Sequence, residues 1–254
     1  MDNVIILNYH SILDRESGLG HIDPIYSLSK TSFEDHLILI KKLGLDTITI
    51  NDIPKVKDAS NLNVCLTFDD GHESDYHAVF PLLSEYDMMG SFFPSLSNIQ
   101  NEQRWKEYRS MNEKGHLIGS HGISHLYFSN LSKVDQFREL KKSKQIIEEQ
   151  IQNQIDYFAL PGGKYNSDTC ALAKYVGYKK LLTTDFGMIN SKGNDYLLNR
   201  WSIKNTISLS LLTKILKRDA SAFRKMKTRS YVKRSMISLL GNHSADKINY
   251  FINS

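Results

Sequence analysis

The stretch Thr67-Phe68-Asp69-Asp70-Gly71 directly follows an apolar run at 62–66, which predicts a buried strand that ends in two carboxylates. Adjacent carboxylates in such a place repel each other, and burial alone would not leave both of them ionised. A cation beside the pair removes this conflict. Asp-Asp-Gly by itself is more often a turn, but its position at the end of an apolar strand indicates a metal site.

A second motif, His121-Gly122-Ile123-Ser124-His125, follows a short apolar run at 117–119. Histidines four residues apart lie on the same side of a helical turn. Two imidazoles and one carboxylate suit a catalytic divalent ion that keeps positions open for water and substrate. The other carboxylate is then free to act as a base. A lone histidine pair is more often structural, but two such motifs at two strand ends favour a metal site.

The rest of the chain alternates between short apolar runs and longer amphipathic stretches. Strands are expected at about 3–8, 46–50, 62–68, 90–93, 116–119, 155–159 and 179–183, and helices at about 32–43, 74–87, 103–114, 132–152 and 166–176. This alternation indicates an α/β protein with a parallel sheet, and seven or eight units predict a distorted parallel (β/α) barrel. Such barrels keep their chemistry at the carboxyl ends of the strands, where both motifs fall.

Sequence signals also define the helix at 132–152 and the end of the barrel. Apolar side chains near one face of that helix predict the buried side, namely Val134, Phe137, Leu140, Ile147 and Ile151. Ser132 is the expected cap at its start. The barrel is expected to span residues 1–203. Residues 204–254 show helical periodicity and are expected to form an appended basic helical segment that packs on the barrel.

Taken together, the motifs resemble those of the polysaccharide deacetylases of the NodB-homology type, the fourth family of carbohydrate esterases. That family carries Thr-Phe-Asp-Asp-Gly followed by His-x-x-x-His. A third match is Phe158-Ala159-Leu160-Pro161-Gly162-Gly163 followed by Tyr165-Asn166, which resembles the family's groove loop. Tyr9-His10 near the start resembles the branch that deacetylates poly-N-acetylglucosamine. The similarity spans roughly residues 4 to 203.

The resemblance implies a role for each motif residue. Asp70, His121 and His125 would hold one divalent metal ion; zinc is expected from the ligand types, and cobalt, nickel or iron would also fit. Asp69 would be the general base that takes a proton from a water molecule. The resemblance to the poly-N-acetylglucosamine branch assigns the general acid to His10.

Other residues complete the implied site. The resemblance implies that four residues of the third match bind the substrate, namely Pro161, Gly162, Gly163 and Tyr165. A backbone N–H of this loop is expected to help stabilise the oxyanion. His243 is the late alternative to His10 as the acid, ranked lower because it lies in the appended segment without the family's usual strand context.

The chain departs from the family pattern at two positions. Many members have an arginine that pairs with the base aspartate, where this chain has Ala159; Arg200 beside Trp201 is the candidate replacement. The residue after the first histidine is Gly122, whereas the family usually has serine or threonine there. Neither departure removes a metal ligand.

Composition sets the broad class and the partners. The 254 residues are 41% hydrophobic and 24% charged, as in ordinary globular proteins, and Cys65 and Cys170 suggest no disulfide framework. Neither a secretory signal nor a membrane-spanning segment is recognised, so a cytoplasmic protein is expected. Residues 204–234 hold ten Lys or Arg and one acid. A solvated helical face is the favoured interpretation, and contact with an anionic membrane surface or a phosphate-bearing substrate is the alternative. No nucleic-acid motif accompanies these charges.

The expected function is hydrolytic removal of an N-acetyl group from an amino sugar of the N-acetylglucosamine type. The cytoplasmic expectation favours a nucleotide-linked or lipid-linked saccharide over an exported polymer. The same chemistry would also suit an ester or formamide deacylase. A carbohydrate-binding protein without turnover is the alternative of a different class, although the complete Asp-Asp and His-His set argues against it.

Overall fold

The computed structural model describes residues 3–13, 23–56, 61–99, 101–185, 187–189 and 195–224. The chain forms two compact units, Met1–Ile207 and Ser208–Ser254. The strands of the described residues are β1 (Val4–Tyr9), β2 (Ile12–Leu13), β3 (Leu28–Ser29), β4 (Asp46–Thr47), β5 (Asn63–Asp70), β6 (Gly90–Pro94), β7 (Leu117–Ile118), β8 (Tyr157–Ala159), β9 (Lys180–Leu182), β10 (Met188–Ile189), β11 (Leu197–Leu198) and β12 (Trp201–Ser202). The α-helices are α1 (Lys30–Lys42), α2 (Phe80–Glu85), α3 (Glu102–Glu113), α4 (Lys133–Ile151), α5 (Ser167–Val176) and α6 (Leu209–Leu216).

The first unit is a distorted (β/α) barrel, as the sequence predicted. One sheet runs β10-β1-β5-β6-β7, with β12 on β1 and β4 on β5, and a second runs β11-β9-β8. All of these pairs are parallel except β1 with β10. A bridge between Ser120 and Phe158 joins the two sheets. The seven expected strands correspond to β1 and β4–β9, whereas the other strands, each two residues long, were not predicted.

The central strand β5 carries the carboxylate motif to the edge of the barrel. Its residues are buried up to Asp69, as expected for a parallel strand covered on both faces. Side chains alternate along a strand, so Cys65, Thr67 and Asp69 share one face. Cys65 belongs to the hydrophobic core together with Val4, Ile6, Phe93, Ala159 and Leu182. Asp69 therefore faces the barrel interior, and Thr67 separates it from the apolar core along β5.

Helix α4 begins as predicted, and most of its predicted apolar face is buried, with Leu140, Ile147 and Ile151 in the interior. Ser132 caps the helix, since its hydroxyl accepts a hydrogen bond from the Asp135 N–H at 3.1 Å. Val134 was expected in the core, yet it is 75% exposed. The buried face also includes three polar residues that were not predicted, Gln136, Glu139 and Ser143. The prediction missed these polar residues because it counted only apolar positions, whereas Glu139 turns inward to accept backbone hydrogen bonds.

In the second unit the structure describes residues 208–224, which contain helix α6 where helical periodicity was expected. Residues 225–254, with His243 and much of the basic segment 204–234, lie outside the described residues. Packing of residues 204–254 on the barrel and contact with a membrane surface therefore stay predictions. Among the described helices, none combines the length and the apolar character needed to cross a membrane.

Candidate metal centre

Asp70 is the last residue of β5 and leaves the strand in a strained conformation. Its φ of 75° lies in the left-handed region, which costs a residue with a side chain about 1–3 kcal/mol. Gly71 follows with a φ of 78°, and a Cβ there would lie 2.8 Å from the Cβ of Pro94. Only glycine fits at this position without displacing β6. The turn directs the Asp70 carboxylate toward the histidine motif.

The side chains of Asp70, His121 and His125 converge at the carboxyl end of the strands. The Nε2 atom of His125 lies 3.1 Å from Asp70 Oδ1, and that of His121 lies 3.4 Å from it. One donor atom from each of the three residues falls within 4.8 Å of the others. His121 is buried, whereas the side chain of His125 is 43% exposed. The cluster is therefore open to solvent on one side.

The histidines do not lie on a helical turn, so that part of the sequence argument was wrong. Residues 121–127 form a loop between β7 and the short helix at Phe128–Asn130. Gly122 and His125 have φ values of 86° and 54°, which interrupt any helix. The left-handed conformation of His125 turns its ring toward that of His121, and the two centroids are 5.0 Å apart.

The three residues fit a divalent cation. Nδ1 of His121 lies 2.8 Å from the carbonyl oxygen of Ala159, so Nδ1 must carry the proton to form this hydrogen bond. Nε2 of the neutral ring is then unprotonated, and its lone pair faces Asp70. Metal-binding histidines are commonly oriented in this way. Asp70 Oδ1 is buried and makes no hydrogen bond within the described part of the chain. Burial would raise the pKa of Asp70, but the two imidazoles, when they carry a proton on Nε2, hold it well below its usual range. A cation at this point would favour the ionised carboxylate in the same way. An ionised oxygen between two imidazole nitrogens suits zinc or a similar ion.

Asp69 is paired with Arg200 in the barrel interior. Nη1 and Nη2 of Arg200 each donate to one carboxylate oxygen at 2.7 Å, and both side chains are almost fully buried. Arg200 also donates to Asn8 Oδ1 and to the Thr183 carbonyl. Burial would raise the pKa of Asp69, but the guanidinium outweighs this effect and lowers it. Arg200 is thus the partner that the sequence nominated in place of the missing arginine at Ala159.

His10 lies directly after β1, beside the carboxylate pair. Its Nδ1 atom is buried without a hydrogen bond to any described residue, and its ring packs on Tyr26 with centroids 4.7 Å apart. Burial lowers the pKa of His10, while the negative charges of Asp70 and Asp69 oppose this shift. An imidazole with an unused nitrogen near the cluster is suited to proton transfer.

The proline loop borders the same region. Pro161–Gly163 forms a 3₁₀ turn after β8, and the Gly163 N–H donates to the Leu160 carbonyl at 2.8 Å. Proline has no N–H, so Gly162 is the remaining candidate for a backbone oxyanion donor among these three. A Cβ on Gly162 would lie 2.6 Å from the ring of Tyr127. Tyr165 follows in the segment before α5 and is half-buried.

Sequence reasoning missed residues that support the site from other elements. Arg104 of α3 donates through Nη2 to the carbonyl oxygens of Gly71 at 3.1 Å and His72 at 3.0 Å, and it forms an ion pair with Glu107. It therefore holds the turn that follows Asp70. Tyr127 is 48% exposed beside the proline loop. Neither residue lies in a recognisable motif, so only the fold reveals its place.

Two histidines outside the cluster lie in the interior of the protein. His36 is buried and forms a hydrogen bond with the Tyr9 hydroxyl, and His116 is buried and accepts from the Gly90 N–H. Burial lowers the pKa of each to about 4. Both are neutral hydrogen-bonding residues of the interior. His21 lies outside the described residues.

Replacing either histidine of the cluster should weaken metal retention. We expect about one divalent ion per chain after purification, and His121→Ala or His125→Ala should lose most of it because only two protein ligands remain. Elemental analysis after dialysis measures this loss. His77→Ala is the control, since the His77 side chain is 62% exposed and faces Glu107. Normal metal content in the double variant at positions 121 and 125 would contradict the assignment.

Comparison with known proteins shows similarity to polysaccharide deacetylases. The family model of polysaccharide deacetylases matches residues 57–181. The Bacillus subtilis protein YxkH, named for the same family, is 29% identical over 201 residues, which cover 77% of this chain and 69% of YxkH. A poly-beta-1,6-N-acetyl-D-glucosamine N-deacetylase of Staphylococcus aureus strain MRSA252 is 23% identical, with 69% of this chain and 67% of that protein covered. The structure of the Streptococcus pyogenes deacetylase PplD superposes with a TM-score of 0.72 at 23% identity, over 84% of this chain and 97% of that one.

The structure thus shows a (β/α) barrel with a carboxylate and two histidines together at its carboxyl rim. Residues 57–181 match the family model of polysaccharide deacetylases, and YxkH is similar over most of the chain. This is the family that the sequence motifs predicted, and its relatives include a deacetylase of the poly-N-acetylglucosamine branch.

Proposed function

We propose that this chain is a metal-dependent hydrolase that removes an N-acetyl group from an amino sugar of the N-acetylglucosamine type. The proposal rests on one observation above all. Asp70, His121 and His125 present three converging donor atoms at the barrel rim, next to a second carboxylate, Asp69, that is held separately by Arg200. The proposed metal ligand Asp70 and the proposed base Asp69 are thus adjacent in sequence but have different partners, the two histidines and Arg200 respectively.

A divalent ion held by these three residues would act as a Lewis acid that makes a water molecule more acidic and polarises the acyl carbonyl. Asp69 accepts the proton of the attacking water, since Arg200 keeps its carboxylate ionised. The water oxygen adds to the carbonyl carbon, and the C–N bond then breaks. His10 donates a proton to the departing nitrogen. The proton taken by Asp69 restores the proton lost by His10, and the acetic acid that forms gives its proton to the amine. One amide and one water thus yield acetate and a protonated amino sugar, so atoms and charge balance.

The proposed substrate is a polymer or oligomer of N-acetylglucosamine. Tyr26, packed on His10, and Tyr127, beside Gly162, place two aromatic rings near the cluster, and aromatic faces are suited to the apolar sides of sugar rings. The Staphylococcus relative is named for a polymer of this sugar. Nothing in the described residues favours a nucleotide-linked or lipid-linked sugar, so the polymer is the first substrate to test.

Acetate release from defined substrates tests the proposal. The zinc-loaded or cobalt-loaded chain is incubated with N-acetylglucosamine oligomers, β-1,6-linked and β-1,4-linked, and with an O-acetylated sugar. We expect acetate and free amine from the N-acetylated oligomers. Hydrolysis of the O-acetyl sugar alone would make the chain an ester deacylase. Binding without any hydrolysis would make it a carbohydrate-binding protein.

His10→Ala should slow the reaction while leaving the metal bound. Without an acid, the tetrahedral intermediate must expel an unprotonated amine, so we expect kcat to fall by about two to four orders of magnitude. KM should change little, because His10 is proposed to act in bond cleavage and not in ground-state binding. Steady-state kinetics and elemental analysis of the same samples measure both quantities.

His243→Ala is the comparison for this experiment, because His243 is the alternative acid from the sequence. It should retain the wild-type rate. A fully active His10→Ala protein, or an inactive His243→Ala protein that is still folded and still binds metal, would transfer the acid role to the C-terminal segment.

A further inference from the structure

Glu139 on α4 is a buried carboxylate whose hydrogen bonds run to the histidine loop. Its Oε2 accepts from the backbone N–H groups of Ile123 at 2.6 Å and Ser124 at 3.1 Å. Its Oε1 accepts from the Ser124 hydroxyl at 2.8 Å. The residue is only 4% exposed. All three partners are donors, which matches the acceptor-only capacity of an ionised carboxylate.

The loop needs such an acceptor because it is not helical. Backbone N–H groups that lack a helical partner need another acceptor, and the left-handed residues Gly122 and His125 prevent a regular helical pattern between the two histidines. The carbonyl groups of the loop form hydrogen bonds with a different segment. The Gly122 oxygen accepts from the Leu96 N–H at 3.0 Å, and the Ile123 oxygen accepts from the Ser97 N–H at 2.8 Å. Glu139 satisfies the N–H groups on the other side.

The contact is also close enough to restrict the loop. A Cβ on Gly122 would lie 3.1 Å from Oε2 of Glu139, so the carboxylate is packed directly against the residue that follows His121. Ile123 and Ser124 occupy the remaining positions before His125. The carboxylate therefore binds the middle of a segment whose two ends are the proposed metal ligands.

We propose that Glu139 is a positioning residue for the metal centre, which sets the separation and orientation of His121 and His125 through the backbone between them. This inference rests on the proposed metal site. It assigns Glu139 no contact with substrate or with the reacting atoms. Its effect on activity passes through the affinity of the two histidines for the ion.

Glu139→Gln tests this role with little change in size. The glutamine amide has one acceptor oxygen, and its NH₂ group would face a backbone donor. We expect the affinity for zinc to fall about 10–100-fold, the usual effect of losing an outer partner of a metal ligand. The affinity is measured by titrating metal-free protein with zinc in competition with a chelator. The visible absorption of the cobalt-loaded protein should change as well, because it reports ligand geometry.

Glu148→Gln is the matched control. Glu148 lies on the same helix and also accepts a backbone N–H, that of Ile155 at 3.0 Å, and it pairs with Lys144. It contacts no residue of the histidine loop in the described structure. We expect wild-type zinc affinity and an unchanged cobalt spectrum, whatever the effect on thermal stability.

The outcomes separate this inference from the proposed function. If wild-type protein binds zinc and Glu139→Gln binds it equally well, with the same cobalt spectrum, the positioning role is refuted and the metal site stands. If wild-type protein binds no divalent ion, both ideas fail. Should Glu139→Gln not fold, Ser124→Ala removes one of the three donors without burying a new group. It should weaken zinc binding by a smaller factor, and an unchanged affinity would count against the role.

Discussion

Asp69→Asn should lower kcat for deacetylation by about two to four orders of magnitude, the usual size of a lost general base, while the protein keeps its metal. Asparagine cannot accept the proton of the attacking water, but the three donor atoms of Asp70, His121 and His125 are untouched. Asp70→Asn should reduce metal retention as well as rate, because it weakens one of those donors. Kinetics and elemental analysis on the same preparations distinguish the two variants.

The comparison needs a check on folding, since Asp69→Asn leaves the buried Arg200 without its counter-charge. Activity should therefore be measured well below the thermal unfolding temperature of each variant. Equal metal loss from Asp69→Asn and Asp70→Asn would contradict the separate roles of the two carboxylates. A fully active Asp69→Asn protein would contradict the base assignment itself.

The architecture was predictable because parallel strands leave a strong signal. A strand buried on both faces is mostly apolar, and β1, β5 and β6 each contain a short apolar run in which the residues are buried. Helices between them show the 3.6-residue period. The two-residue strands β4 and β7 lie within the expected runs 46–50 and 116–119, whereas the equally short β10, β11 and β12 escaped prediction because no expected apolar run contains them. Their positions depend on pairing with β1 and β9.

The proposed metal ligands were predictable because each motif is local in sequence and sits at a strand end. Their meeting point follows from the barrel, since carboxyl ends of parallel strands share one rim. The path of the backbone between the histidines was not predictable. A helical turn and an irregular loop can both bring residues four apart together, and the left-handed His125 that decides between them has no sequence signal.

Partners from distant elements were the hardest to foresee. Arg200 was nominated for Asp69 only because the usual arginine was missing, and its bidentate geometry needed the structure. Glu139 and Arg104 lie in ordinary amphipathic helices, where a charged residue normally faces solvent. In both cases the charged side chain points inward because it forms hydrogen bonds with backbone groups of a non-helical loop. The hydrophobic pattern of a helix gives no sign of such hydrogen bonds.

Arg200→Met should destabilise the metal-free protein by about 3–5 kcal/mol, the usual result of removing one partner from a buried ion pair. Asp69 is then left as a buried carboxylate without its guanidinium. Chemical denaturation with a chelator present measures the free energy of unfolding. In zinc-loaded protein the loss should be smaller, because the cation at Asp70 partly replaces the missing positive charge. The double variant Asp69→Asn/Arg200→Met should cost less than the sum of the single changes.

Arg138→Met is the matched control for this prediction. Arg138 also donates to an aspartate, Asp135, at 2.7 Å, but the side chains of this pair are 56% and 36% exposed. Exposed ion pairs contribute only about 0–1 kcal/mol, so this change should barely alter the free energy of unfolding. If Arg200→Met proved as stable as Arg138→Met in the absence of metal, Asp69 could not be an ionised group that depends on Arg200. A protonated Asp69 could not accept the proton of the attacking water, so the same result would also remove the base from the proposed reaction.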